Sequence, residues 1–204
     1  MLKRVIILTS FVLSACSSIP QKYGDVQEGQ WKAKALIKDL EQARSYIVNL
    51  NFNIKKGEST RMDVTTVLGG GVASLVADNR EVRYMLYDSK RFYFGTPQPG
   101  VMRPILSIPF DPRWLQNILF DTPITDRTWT CTQDSSGDLQ TCSDSVSGVK
   151  VTWSQRSGAK KTILIEHSKA SVQLNVQSFK PKVEDRKNLF SLEAPDGFQK
   201  LRVR

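Results

Sequence analysis

Apolar and polar residues alternate with a period of two along much of the chain. Val48, Leu50, Phe52 and Ile54 are interleaved with Asn49, Asn51 and Asn53, and Lys55-Lys56-Gly57-Glu58 then turns the chain. Such alternation puts every second side chain on the same face of a strand. Met62, Val64 and Thr66 continue the pattern until "LGGG" breaks it, and three more strands follow at 72–77, 82–87 and 91–95, separated by "DNR" and "DSK". Strands resume at 149–153 and 162–166, and again where Val172, Leu174 and Val176 alternate with Gln173, Asn175 and Gln177. The closing "NLFSLEAPDGFQKL" reads as a short strand ending in a Pro-Asp-Gly turn.

Two segments depart from this period. In "QWKAKALIKDLEQAR", residues 30–44, Trp31, Ala35, Leu36, Leu40 and Ala43 fall on one side of a helix. Residues 96–113 carry Pro97, Pro99, Pro104, Pro109 and Pro112, so neither helix nor ladder persists there and the segment reads as a crossing loop. Asp111 followed by Pro112 is a helix start, an N-cap and then a proline in the first turn, and Trp114, Leu115, Ile118 and Leu119 give the helix an apolar side. Nine or ten strands and two helices result. This is a mainly β, α+β fold: a curled antiparallel sheet forming a half-barrel, covered on its concave side by a few helices. A sheet of this length curls, and its apolar face needs a cover that two helices supply only in part. Either large side chains or a ligand fill the rest of the hollow, whose candidate lining residues are Leu50, Phe52, Val64, Trp114, Leu115 and Ile118.

The amino terminus obeys a different grammar. Met1-Leu2-Lys3-Arg4 is a short basic start, and Val5 to Leu13 is almost wholly apolar, the pattern of an export signal. That run is far shorter than the roughly 20 residues a membrane-spanning helix needs. Leu13-Ser14-Ala15-Cys16 resembles the lipobox of bacterial lipoproteins, in which the cysteine becomes the first mature residue and carries lipid. The expected organisation is a signal peptide over 1–15, a flexible tether over 16–29 and a single domain over 30–204. Each buried methylene of an acyl chain contributes about 0.8 kcal/mol, so several chains on Cys16 hold a protein at a membrane. Ser17 follows the cysteine where an aspartate marks inner-membrane retention in enterobacteria-like sorting, so the resemblance points to the outer membrane, with the domain facing the periplasm.

Export also explains the other two cysteines. Cys131 and Cys142 flank the polar turn of "TQDSSGDLQT", and in an oxidising compartment they form a disulfide across a hairpin. Closing so short a loop contributes about 3 kcal/mol. A metal site would need further cysteines or histidines at ligand spacing. The one histidine, His167, reads as a strand-end surface residue, and no metal or other cofactor is expected. Loss of Lys3 and Arg4 with the leader lowers the formal net charge from +9 by two, to +7. Export argues against nucleic acid as the reason for this balance. Lysines and arginines in turns such as Lys160-Lys161 form a solvated face, or one attracted to anionic headgroups. Nucleophilic catalysis needs a base beside the nucleophile, which this lone histidine does not supply, and glycines 69–71 lack the Lys-Ser/Thr of a phosphate loop. No enzyme activity is expected.

The stretch "RMDVTTVLGGGVASLVADNREVRYMLYDSKRFYFG" resembles the strand, Leu-Gly turn, strand, short turn, strand order of the LolA/LolB group of lipoprotein carriers. "PFDPRWLQNILF" is similar to their helix after a proline-rich segment, and "FSLEAPDGF" to a common close of LolA-type chains. The resemblance implies an outer-membrane-anchored protein with a hydrophobic cavity for lipid or lipoprotein acyl chains, working with a periplasmic carrier protein in lipoprotein or lipid localisation. The other class left open is an accessory lipoprotein that docks on another envelope complex. Carried over, the family's membrane-interacting leucine falls on Leu68, before Gly69, Gly70 and Gly71. Leu68 either projects from that tip or ends a strand and packs inward. LolB-like chains have another strand between the first helix and the strand at Val48; here the half-barrel is expected to be one strand short.

A Cys16→Ala chain is expected to leave the membrane fraction and to incorporate no labelled palmitate. Retention in the membrane would remove the anchor.

Overall fold

A computed structural model describes residue 23 and residues 25–184 and 187–203. Cys16 and the leader lie outside the described residues. Among the described residues twelve strands form one sheet: β1 (Glu28–Asp39), β2 (Arg44–Lys55), β3 (Ser59–Thr66), β4 (Gly71–Asp78), β5 (Val82–Leu86), β6 (Arg91–Gly95), β7 (Trp129–Gln133), β8 (Leu139–Asp144), β9 (Lys150–Ser157), β10 (Lys160–Glu166), β11 (Ala170–Lys180) and β12 (Gln199–Val203). Their spatial order is β12-β6-β5-β4-β3-β2-β1-β11-β10-β9-β8-β7. Two antiparallel meanders, β1 to β6 and β7 to β11, are therefore sewn together where β1 pairs with β11.

The expected helix over 30–44 is β1, which pairs with β2 from Glu28↔Lys55 to Asp39↔Arg44 and with β11 on its other side. Ala, Lys, Leu and Gln favour a helix intrinsically, but Trp31, Ala33, Ala35 and Ile37 also alternate with Lys32, Lys34 and Lys38, and two ready partners decide for the strand. Trp31 and Ala35 are fully buried. This correction supplies the strand that was expected to be absent and removes a helix, so the half-barrel is not one strand short. Among the described residues α1 (Trp114–Phe120) is the one α-helix, rather than a few. It begins two residues later than the Asp111 signal: Arg113 holds the cap position, while the Asp111 carboxylate accepts the Arg113 backbone N–H at 2.9 Å and its guanidinium at 2.6 Å.

α1 and the crossing segment lie over the apolar face. Ile108, Phe110, Trp114, Leu115, Ile118 and Leu119 join Trp31, Phe52, Trp153 and Ile163 in one core, and Val101 and Met102 pack on Leu75, Val82, Tyr84 and Tyr93. The helix is fastened by polar bonds inside this apolar layer, where an unpaired donor would cost about 1–3 kcal/mol. Trp153 Nε1 donates to the Ile118 carbonyl at 3.0 Å, and Trp114 Nε1 donates to Asp126 at 2.8 Å.

The chain's end crosses to the other face. Phe190, Leu192, Ala194 and Phe198 pack on Val76, Met85 and Phe92. The Pro-Asp-Gly turn precedes the final strand instead of ending it, with the Phe198 N–H bonded to the Pro195 carbonyl at 3.2 Å. β12 then pairs with β6 in parallel, among the described residues the one departure from an antiparallel ladder. A short edge strand has no local turn to declare its partner, so its direction follows from where the preceding strap delivers it. Gly95 makes the approach possible: a Cβ there would lie 2.4 Å from the Val203 carbonyl oxygen. Gly95→Ala is therefore expected to displace β12 and lower stability by about 1–3 kcal/mol, with faster amide exchange over 199–203 than over β4 and β5.

Candidate functional site

The β3–β4 turn is built by Thr66. Its carbonyl accepts the Gly69 N–H at 3.0 Å, its N–H donates to the Gly70 carbonyl at 2.8 Å, and its hydroxyl accepts the Gly70 N–H at 3.0 Å. Gly69 takes φ +91°, a conformation open to glycine. Val67 and Leu68 occupy the two central positions of this turn, where small or polar residues are the usual choice. Nothing in the backbone pattern asks for an aliphatic residue there, yet Leu68 is 95% exposed and Val67 57%. Of the two readings, Leu68 projects from the tip.

The neighbouring loops repeat this feature. Leu40 lies in the β1–β2 turn, and Tyr46 and Ile47 lie near the start of β2. Tyr87 follows β5, and Val146 sits in the β8–β9 loop at 78% exposure. The ladder registers place all of these at the same end of the sheet as Leu68: Asp39 pairs with Arg44 and Ala170, Val48 with Thr66, and Glu166 with Lys150. Every large hydrophobic residue exposed among the described residues is on this one rim. The Val146 loop is ordered by Asp144, whose carboxylate accepts the Val146 and Ser147 N–H groups at 3.3 and 3.0 Å. Burial alone would raise the Asp144 pKa; hydrogen bonds from Ser147, Thr128 and this backbone outweigh it and hold the carboxyl below its ordinary value.

The candidate lining residues come together on the concave face. Leu50, Phe52, Trp114, Leu115 and Ile118 are buried in one cluster, and Val64 packs against it half-buried. The cluster is rich in rings: Trp31 meets Phe120 edge-on at 4.8 Å, and Trp114 meets Trp129 at 4.8 Å. Clefts of about 490 and 610 Å³ lie instead on the polar side of the sheet. The first is lined by Gln30, Lys32, Asn51, Asn53, Arg61 and Asp63, the second by Lys55, Lys182 and Phe190 among others. Along the first, Arg61 bonds Asp63 through two 2.8 Å contacts, Ser74 donates to Asp63 at 2.6 Å, and Arg61 donates to the Leu189 carbonyl at 3.0 Å, holding the terminal strap.

Opposite the rim, a second arrangement escaped the sequence reading. Lys161, expected in a solvated turn, is buried; its Nζ donates to the Leu119 carbonyl at 2.6 Å and to Asp121 at 2.7 Å. It thus closes the C-terminal end of α1, where a cation suits the helix dipole. Its phase was the available signal, because Lys161 falls in step with buried Ile163 and Ile165. Above Lys161 sits Tyr23, 3% exposed, with the ammonium 4.5 Å from its ring centroid. The ring also contacts Phe179 at 4.8 Å, Trp31 at 6.1 Å and Phe120 at 6.2 Å. Burial pushes the Tyr23 phenol up to about 12; Asp121 adds to the rise, and the Trp31 indole and Arg156 oppose it. That indole N–H is buried and makes no hydrogen bond of normal geometry.

Elsewhere the positions are simpler. Cys131 and Cys142 face each other across β7 and β8 and are joined by a disulfide. His167 is half-buried at the β10–β11 turn, where its Nδ1 accepts the Lys169 N–H at 3.2 Å.

No protein-family profile and no curated protein sequence matches the chain. Among solved structures it is similar to a LolA superfamily protein from Nitrosomonas europaea, with TM-score 0.55 and 10% identity over 83% of this chain and 91% of that one. It is also similar to an outer membrane lipoprotein-sorting protein domain from Vibrio parahaemolyticus, with TM-score 0.49 and 10% identity over 80% and 89% of the two chains. An uncharacterized conserved protein from Thermus thermophilus has TM-score 0.42 and 12% identity over 85% and 90%. The first of these likenesses shows that the chain has a LolA-like fold.

Lys161 gives the site a pH signature. Burial lowers its pKa from 10.5 to about 8 against the opposing pull of Asp121. Between those values the unfolded chain binds the extra proton, so stability attributable to this group rises with pH. Tyr23 acts in the opposite sense above pH 10, where the unfolded phenol ionises first. Calorimetry from pH 8 to 10 is therefore expected to show wild-type stability growing relative to Lys161→Met, and a constant difference would contradict the burial.

Proposed function

With a LolA-like half-barrel as the premise, we propose that the chain is an envelope lipoprotein, tethered to the outer membrane through lipid on Cys16, that handles the acyl chains of lipids or other lipoproteins. The observation that carries this reading is the Val67-Leu68 pair, held out to solvent at the centre of an ordered turn on the end of the sheet that also bears the other exposed apolar side chains. Non-directional burial, about 25 cal/mol per Å² of apolar surface, suits a surface that must both take and release greasy cargo. The tyrosines of the rim, Tyr46 and Tyr87, have the amphipathic character that settles at a lipid–water boundary. Gly69, Gly70 and Gly71 let the tip adapt as Leu68 enters a bilayer or meets the acyl chains of a protein delivered by a periplasmic carrier.

The ring-filled concave face favours a second reading, in which the chain carries no cargo and docks by its rim on another envelope complex. Mass spectrometry of the gently purified protein separates the two, since a carrier retains acyl-bearing ligands and a docking protein does not.

Leu68→Glu places a charge on a residue that touches no core, so the melting temperature is expected to stay within about 0.5 kcal/mol equivalent of wild type. Transfer of a labelled lipoprotein to acceptor vesicles is expected to be lost. Transfer at the wild-type rate would discard the role of Leu68.

A further inference from the structure

The polar side of the sheet carries a row of cations set among amides. Lys32, Lys34 and Lys38 are exposed on one face of β1, and none is ion-paired with a described residue. Two residues separate Lys32 from Lys34, about 6.6–6.8 Å along a strand. The register sets Asn51 beside Lys32, and Asn49 and Asn175 on either side of Lys34. Asparagine is depleted in strands, yet β2 places Asn49, Asn51 and Asn53 at three successive positions of this face. Threonine would solvate the same face and suit a strand better, so folding alone gives no reason for the choice.

At the Asn53 end this row opens into the cleft of about 490 Å³, a volume inside the range of small-ligand sites, about 300–1,000 Å³. Asn53 lines it and is itself only 9% exposed. Its Oδ1 accepts the Gln30 Nε2 at 2.8 Å, while the Asn53 amino group, the Gln30 amide oxygen and the whole Asn51 amide have no partner among the described residues. Of the charged lining groups, Lys32, Arg61 and Lys187 outnumber Asp63 and Glu184 by one, and Asp63 is already held by Arg61 and Ser74.

We propose that this cleft and the lysine–amide row running from it bind an anionic polysaccharide. The inference goes beyond acyl handling and does not depend on it. A primary amide offers a donor and an acceptor side by side, which suits the neighbouring hydroxyls of a sugar ring. Each ammonium between the amides meets a carboxylate or phosphate borne by the same chain, with a charge-assisted hydrogen bond. The cleft takes one sugar unit, and the row on β1 and β2 takes its neighbours. A single-stranded nucleic acid would match the charge, but its bases stack on aromatic side chains, and the positions flanking Lys32 and Lys34 on this face are amides and a serine.

Fluorescence anisotropy with the full chain tests this. The probes are labelled polygalacturonate, whose anion is a carboxylate, labelled phosphomannan, whose anion is a phosphate, neutral dextran and oligothymidylate. Wild type is expected to bind at least one of the two anionic glycans, and which one identifies the anion. Lys32→Gln with Lys34→Gln is expected to weaken that binding about tenfold, the loss of two exposed charge contacts. Lys34→Gln alone serves if the double variant melts early. Lys200→Gln with Arg202→Gln removes as much charge from exposed positions of β12 and is expected to leave binding unchanged. Asn49→Thr with Asn51→Thr is expected to weaken it several-fold without lowering the melting temperature. Binding to neither anionic glycan overturns the proposal, as does equal weakening by the β12 pair or unchanged binding in the threonine variant. Dextran or oligothymidylate bound as tightly as the anionic glycan overturns it too.

Discussion

The union of β1 with β11 is the contact on which the rest of the architecture depends. Without it the chain would be two separate antiparallel ribbons, each with one apolar face and no common interior. With it, the sheet is long enough to curl, and Trp31, Ala33 and Ala35 lie at the middle of the concave face. The alanines matter as much as the tryptophan, since small side chains in mid-sheet leave room for α1 to lie against the strands.

The cover then has to be fastened without leaving buried polar groups unpaired. Backbone carbonyls at the end of α1 point into an apolar layer, and two side chains from the second meander reach them: Trp153 bonds Ile118 and Lys161 bonds Leu119. Asp121, in the left-handed conformation that ends the helix, balances the Lys161 charge, with Arg156 at 3.8 Å. Burial raises the Asp121 pKa even against these cations. An ion pair so placed adds little net stability compared with an apolar substitute, but losing one partner is costly. It works as a clasp that specifies where the helix ends.

The two poles of the half-barrel have different chemistry. One bears exposed aliphatic and tyrosine side chains on turns whose backbones are well bonded. The other holds the start of the described chain, a buried lysine and a box of rings. The distance between the poles is set by strand length.

Local pattern determined much of this molecule from the sequence alone. Period-two alternation placed β2 to β6 and β9 to β11, the Asp-Pro signal placed α1 to within two residues, and the polar turn between Cys131 and Cys142 marked a hairpin. These features rest on neighbours a few residues apart. Only tertiary structure made residues 28–39 a strand, because their helix propensity yielded to two partners, one of them over a hundred residues away. Only it put β12 parallel to β6, buried Lys161 beneath a helix end, and seated Tyr23 in a slot of rings, since each of these outcomes depends on groups that no local window of sequence contains.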